Sequence, residues 1–241
     1  MLYLIGLGLN EKATTQETLE CLEKCEKVYL ESYTVDFPYD ILALEGELGK
    51  KIIKLGRKEV ESDFLVKEAK TKNIALLVYG SPLFATTHFS LIDELRKNKV
   101  KIKIIYNASV FDAIGETGLH LYKFGKISSM PLWDLNKNYT PESFIDNVKE
   151  NLGIRAHSLI LVDIGLSFEK SLIQLETACQ NNKLVLNSIL VCSRLGTKES
   201  RIFFGKIEEL KKTNIKQPFC FIIPSAKLHF LEEEALALYK K

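Results

Sequence analysis

Residues 73–109 read NIALLVYGSPLFATTHFSLIDELRKNKVKIKIIYNAS. An apolar run at 74–80 ends in a glycine, a loop of small and hydroxylated residues follows, a stretch of helical period covers 86–98, and a second apolar run fills 101–107. Short apolar runs of this kind form strands, and strand, helix and strand in succession make a parallel crossover unit. The rhythm extends toward the N-terminus, with strands at 2–8, 27–32 and 51–55 and helices at about 15–25, 38–49 and 60–71. Thr14 or Thr15 and Ser62 are the expected caps, their hydroxyls accepting from first-turn amides.

After Asn107 the pattern changes. A helical stretch holding Gly115 and Gly118 leads into LYKFGKIS, then into the polar DLNKNYTPES, whose Pro141 can open the next helix. Strands are expected near 126–132, 158–164, 187–193, 201–205 and 218–224, and helices near 141–152, 169–181 and 229–240. The segment 193–205 reads as a hairpin, so this second sheet is expected to be mixed. With 241 residues the length suits two α/β domains, placed at 1–110 and 111–241, the first with a mainly parallel sheet and the second with a mixed one.

Apolar residues make up 46% and charged residues 27%, an ordinary globular balance. A net charge of +2, with basic and acidic residues interspersed as in RKEVESDFLVKEAKTK at 57–72, supplies no concentrated basic face for nucleic acid. The apolar run IALLVY at 74–79 falls far short of the roughly 20 residues that a membrane span needs. MLYLIGLGL at the start lacks a basic opening and a small-residue cleavage site, so it reads as a first strand, and a cytoplasmic location is expected. Cys21, Cys25, Cys179, Cys192 and Cys220 form an odd set without a CxxC unit, which points to buried reduced thiols and to no metal site.

Chemistry is expected where strands run into loops, because in parallel sheets ligands bind beyond the carboxyl ends of the strands. Gly6-Leu7-Gly8-Leu9-Asn10 is such a place. It lacks the third glycine of a dinucleotide fingerprint, since Glu11 and Lys12 stand there, although Glu31 has roughly the offset of a ribose-binding acid. A tight turn without function is the competing reading. Tyr79 to His88 sets a Gly-Ser-Pro turn before Thr86, Thr87 and His88; His88 alone reads equally as a helix-start residue without chemistry. Asn107-Ala108-Ser109-Val110 offers small residues that admit a flat ring, or simply a helix cap. In the second half, Asp163 closes an expected strand or caps a turn, and Pro224 to His229 lies between the last strand and the last helix. No GxSxG, HExxH or GxxxxGK[ST] pattern occurs, so the common hydrolase and nucleoside-triphosphatase mechanisms lack their residues.

YLIGLGL at 3–9, YLESYT at 29–34, GSPLFATTH at 80–88, NASVFDAIGETGLHLYKFG at 107–125, LVDI at 161–164, SRLG at 193–196 and KLHFLEEEAL at 227–236 together resemble the signatures of the tetrapyrrole-methylase superfamily, and within it the diphthine synthases. The resemblance runs from residue 1 to about 240. It implies two α/β domains with S-adenosylmethionine bound folded in the cleft between them, usually in a homodimer. It implies repeated methylation of the amine on a modified histidine of translation elongation factor 2. Carried over by motif, the cofactor contacts are Leu9, Ser81, Phe84, Ser109, Val110, Val162, Leu195 and His229. The family's Gly-Asp-Pro is Gly80-Ser81-Pro82 here, and the segment between Ile164 and Leu190 is shorter than the family's. Methylation of a precorrin-like macrocycle or of ribosomal RNA, and a non-catalytic cofactor-binding scaffold, are the alternatives.

Methyl transfer to an amine is an in-line displacement that needs positioning and removal of water more than a covalent intermediate, so neither a metal nor an enzyme nucleophile is expected. An alkylamine is mostly protonated at neutral pH and must lose a proton before attack. His88, Asp163 and Glu116 are the candidate acceptors, with water as the alternative. Lys198, Arg201 and Lys206 either help to dock a protein substrate or are ordinary solvated cations.

Overall fold

A computed structural model describes residues 1–240 of the chain. The chain divides into two compact units, Met1–Val110 and Phe111–Lys241. In the first unit β1 (Leu2–Gly6), β2 (Lys27–Glu31), β3 (Ile52–Leu55), β4 (Ile74–Val78) and β5 (Ile102–Ile105) form one sheet in the order β3-β2-β4-β1-β5, and every pairing is parallel. The central strands β1 and β4 are buried along their whole length, as expected of a sheet covered on both faces.

Alternation of side chains along those strands splits the apolar residues into two cores. Leu2, Leu4, Tyr29, Ile74, Leu76 and Val78 pack with Leu65, Val66 and Ala69 of helix Phe64–Thr71 and with Leu91, Ile92 and Leu95 of helix Phe89–Lys97. Tyr3, Ile5, Val28, Leu30, Ala75 and Leu77 face the other way, toward Cys21 and Leu22 of helix Gln16–Glu23 and Leu44 and Leu48 of helix Ile41–Leu48. Each large aliphatic side chain so placed contributes about 1.5–3 kcal/mol of transfer free energy. Thr15 caps its helix, its side chain accepting from the Thr18 amide at 3.2 Å, and Ser62 Oγ accepts from the Phe64 amide at 3.2 Å.

The second unit carries β6 (Ser128–Met130), β7 (Ser158–Val162), β8 (Ile189–Ser193), β9 (Arg201–Gly205) and β10 (Phe219–Ile223) in the order β6-β7-β10-β8-β9. Only β6 and β7 run parallel; β7 with β10, β10 with β8, and β8 with β9 are antiparallel. The expected mixed sheet and the hairpin over 193–205 are both present. Helices Ser143–Gly153 and Phe168–Asn181 lay Phe144, Ile145, Val148, Leu172 and Leu175 on one core with Ile160, Val191 and Phe221.

Element boundaries differ from the expectation where loop chemistry intervenes. The helix expected over 86–98 spans Phe89–Lys97, and the loop before it turns through Ala85 in a left-handed φ of 51°. A short helix, Arg57–Val60, was not expected; Glu59 Oε2 accepts from the Gly56 amide at 3.1 Å and sets its start. The last helix spans Phe230–Ala237 rather than 229–240. All five cysteines are free and buried.

Candidate active site

Three loops of the first unit are bound together at the carboxyl edge of its sheet. Gly8 and Gly80 exchange two backbone hydrogen bonds, Gly8 N to Gly80 O at 3.2 Å and Gly80 N to Gly8 O at 2.9 Å, so the turns after β1 and β4 are clasped. Asn107, just past β5, donates from Nδ2 to Gly6 O at 3.2 Å and to Ala13 O at 2.8 Å, while its Oδ1 accepts from the Ala108 amide at 2.8 Å. A side chain at Gly8, whose φ is 69°, would place its Cβ 2.7 Å from Ala13 Cβ and 2.9 Å from Asn107 Oδ1, so only glycine permits this close approach. At Gly80 the φ is 71° and a Cβ would meet nothing nearer than Ala108 O and Ser109 Cα at 3.7 Å, which leaves room over the backbone between Ser81 and Ser109.

Leu9, Ser81 and Ser109 therefore belong to one clasped group, with Phe84 and Val110 on the same two loops. Leu9 and Ser109 are buried, whereas Ser81, Phe84 and Val110 are partly exposed. Tyr79 Oη donates to Leu9 O at 3.3 Å and stacks edge-on to Phe37, which backs the β1 turn with aromatic rings.

Glu31 and His88 are turned inward, each only 2% exposed. His88 Nε2 lies 2.7 Å from Glu31 Oε2, and its Nδ1 is 2.6 Å from Thr86 Oγ1 and 3.1 Å from Pro82 O. The Nε2 to Oε2 approach is close but is not a hydrogen bond. A buried carboxyl needs a polar partner beside it, and the His88 imidazole is the one that this contact supplies. Both ring nitrogens of His88 are engaged, and Glu31, which has the offset of a ribose-binding acid, is committed to His88.

In the second unit Val162 ends β7 and Asp163 follows it, exposed, with Oδ2 accepting from the Leu132 amide at 3.1 Å. Asp163, Trp133, Asp134 and Tyr139 are among the residues around a cavity of about 670 Å³. Leu195, buried, follows β8. Because β10 is antiparallel to both neighbours, Cys220 stands opposite Leu161 and Phe219 opposite Ser193, so Val162 and Leu195 share the end of the sheet where β10 begins. His229 comes after the other end of β10. The structure brings Val162 and Leu195 to one edge and does not bring His229 to it. Glu116 is exposed, and its carbonyl accepts from Tyr239 Oη at 2.7 Å. Lys198, Arg201 and Lys206 are also exposed.

His229 is held by a group that sequence reasoning missed. Glu232, wholly buried, accepts from the His229 amide at 2.8 Å, Lys123 Nζ at 2.7 Å, the His120 amide at 3.1 Å and His157 Nε2 at 2.8 Å. Burial by itself would raise the Glu232 carboxyl; the His229 amide, Lys123, the His120 amide and His157 outweigh it and hold the group down to about 2. His157 Nδ1 accepts from the Ser225 amide at 2.8 Å, which fixes the neutral Nε2–H tautomer, and burial lowers its pKa in the same sense. The signal for Glu232 was present as His229-x-x-Glu232, a capping box in which the fourth residue's carboxylate reaches back to the first amide. Among the described residues no group of three or more His, Cys, Asp or Glu is placed to hold a metal ion.

Residues 1–211 match the family described as Tetrapyrrole (Corrin/Porphyrin) Methylases. The chain is 35% identical to the diphthine methyl ester synthase of Schizosaccharomyces pombe, over 99% of this chain and 94% of that protein. It is 38% identical to a diphthine synthase of Methanococcus maripaludis, over 98% and 97% of the two chains. A crystal structure described as a diphthine synthase superposes with a TM-score of 0.89 at 29% identity, covering 100% of this chain and 96% of that one.

Proposed function

The chain belongs to the tetrapyrrole (corrin/porphyrin) methylase family, and from that premise we propose that it acts as a diphthine synthase. It takes methyl groups from S-adenosylmethionine and places them repeatedly on the amino group of the modified histidine of translation elongation factor 2. Near-full-length similarity to diphthine synthases supports the reaction, and the glycine-clasped loops of the first unit are the structural observation that carries it.

The residues present fit such a donor. Ser81 and Ser109 offer hydroxyls to a ribose or a base edge, Leu9, Phe84 and Val110 offer apolar contact to a flat ring, and Gly80 keeps side-chain atoms away from the backbone between them. Val162, Leu195 and His229 are the proposed contacts of the second unit. S-adenosylmethionine supplies a methyl group on a positively charged sulfur, which an amine lone pair displaces in line. The protein's task is to hold an uncharged nitrogen in that line and to keep water out. Of the three candidate proton acceptors, Asp163 has the most suitable setting, being exposed at a strand end beside the 670 Å³ cavity. Ser81 leaves the donor loop without a carboxylate, so recognition of the ribose there falls to a neutral hydroxyl.

A homodimer in the cytoplasm completes the proposal; no helix among the described residues is long and apolar enough to cross a membrane. Titration calorimetry with S-adenosylhomocysteine should give heat of binding. A radiolabelled methyl-transfer assay offering the elongation factor 2 intermediate, RNA and a tetrapyrrole side by side should label only the first. Labelling of RNA or tetrapyrrole instead would replace this reading by another within the family, and no binding at all would remove the methyltransferase reading.

A further inference from the structure

We propose that Glu31 and His88 form a latch that positions the 80–88 loop for the methyl donor, making both of them positioning residues. The inference rests on the donor site proposed above. Glu31 is the last residue of β2, and β2 lies beside β4, from which the loop departs. The His88 ring ties together three points: Glu31 at 2.7 Å through Nε2, and Thr86 Oγ1 at 2.6 Å and Pro82 O at 3.1 Å through Nδ1. Thr86 Oγ1 also accepts from the His88 amide at 3.3 Å.

The loop is thus fastened at its front by the Gly8–Gly80 clasp and at its rear by the imidazole. Ser81 stands between the clasp and Pro82, and Phe84 between Pro82 and Thr86, so both proposed donor contacts lie on chain held from two sides. A residue that merely started a helix would not need this arrangement: His88 gives helix Phe89–Lys97 no side-chain cap. Nor would packing alone place a carboxylate there, since Glu31 is buried with no hydrogen-bond partner for either oxygen among the described residues. Removing His88 leaves the buried carboxyl without the imidazole beside it, and replacing the Glu31 carboxyl loosens the contact that holds the ring near Pro82 and Thr86.

The test uses the full chain and three variants: Glu31→Gln, which keeps size and loses charge; His88→Asn, which keeps a donor near the Nδ1 position and loses reach to Glu31; and both together. S-adenosylhomocysteine binding is measured by calorimetry, donor KM and kcat by methyl transfer, and amide exchange over 81–88 by mass spectrometry. Glu31→Gln should weaken S-adenosylhomocysteine and raise donor KM about tenfold, leave kcat at saturating donor and acceptor KM within about twofold, and speed exchange at 81–88 without speeding it in β4. The double variant should be no worse than His88→Asn, because the two act as one unit. Donor affinity within about twofold of the parent in Glu31→Gln, or unchanged exchange at 81–88, overturns the latch. Should His88→Asn not fold, Glu31→Gln and the exchange of the unmodified protein still decide, since loop amides exchanging as fast as free chain would also overturn it. If the parent itself fails to bind S-adenosylhomocysteine, the donor site is refuted, while the exchange result continues to judge the latch.

Discussion

Replacing Glu232 with glutamine tests the buried network that holds His229. The carboxyl is held at about 2 instead of its ordinary 4.5. Between those values the unfolded chain takes up a proton that the folded chain refuses, so the stability that Glu232 contributes is complete above pH 4.5 and is lost as the pH falls toward 2. At about 1.4 kcal/mol per pKa unit the full effect is about 3.5 kcal/mol, and we reduce this to about 2 kcal/mol because Lys123 remains partly open to solvent and screens the pair. His157 acts in the same direction at milder acidity: its pKa is lowered from 6.5, so the unfolded chain gains a proton there first. Urea unfolding at pH 7, 5, 4 and 3, followed by circular dichroism, should show Glu232→Gln less stable than the parent by about 2 kcal/mol at pH 7. The difference should stay constant down to about pH 5 and be about half closed near pH 3. A gap that is the same at pH 3 as at pH 7, or no gap at pH 7, would refute the assignment of the buried carboxylate as an ionised, fourfold hydrogen-bonded anchor.

Asp163→Asn should lower kcat by a factor of about 10² or more at pH 7 while donor KM stays within about twofold, as removal of a proton acceptor requires; unaltered turnover would assign the proton to water. Gly8→Ala should cost about 2 kcal/mol of stability and weaken S-adenosylhomocysteine at least tenfold by calorimetry, because the added Cβ meets Ala13 and Asn107 in a left-handed backbone. Ser81→Asp should tighten S-adenosylmethionine about three- to tenfold, more at low salt than at high, if this loop faces the ribose or the cationic end of the donor. Leu195→Ala and His229→Ala should each weaken S-adenosylhomocysteine about three- to tenfold by calorimetry, as contacts of the same donor; an affinity within about twofold of the parent in His229→Ala would remove that residue, which follows the opposite end of β10, from the donor site.

The parallel half was the more legible because its instructions are local. The central strands β1 and β4 are unbroken apolar runs, helix Gln16–Glu23 is capped by Thr15 and helix Ile41–Leu48 by Asp40, and the glycines at 6, 8 and 80 mark where backbone must approach backbone. What was not legible is pairing across the chain. Glu31 and His88 were each noticed alone, one as a ribose-binding acid and the other as a proton acceptor, yet 57 positions separate them and only the adjacency of β2 and β4 turns them into one device. A polar residue at a strand end carries the same sequence signature whether it faces a ligand or the interior; burial decides, and burial belongs to the sheet order.

The antiparallel placement of β10 has the larger consequence for the second unit. In an all-parallel sheet every carboxyl end lies on one edge, so loops after strands gather by default, and a sequence reader can group them without knowing the order of strands. Reversing one central strand breaks that rule: the loop after β10 moves to the edge opposite those after β7 and β8, and His229 goes with it. Glu232 and His157 then acquire a clear physical purpose. A residue that leaves the common edge loses the support of neighbouring loops, and the buried carboxylate replaces that support by drawing the amides of His120 and His229, the Lys123 ammonium and the His157 ring onto one centre. Position at that edge is therefore set by electrostatics inside the fold, which is why acid should loosen it before it loosens the glycine-clasped loops of the first unit, where backbone hydrogen bonds do the holding.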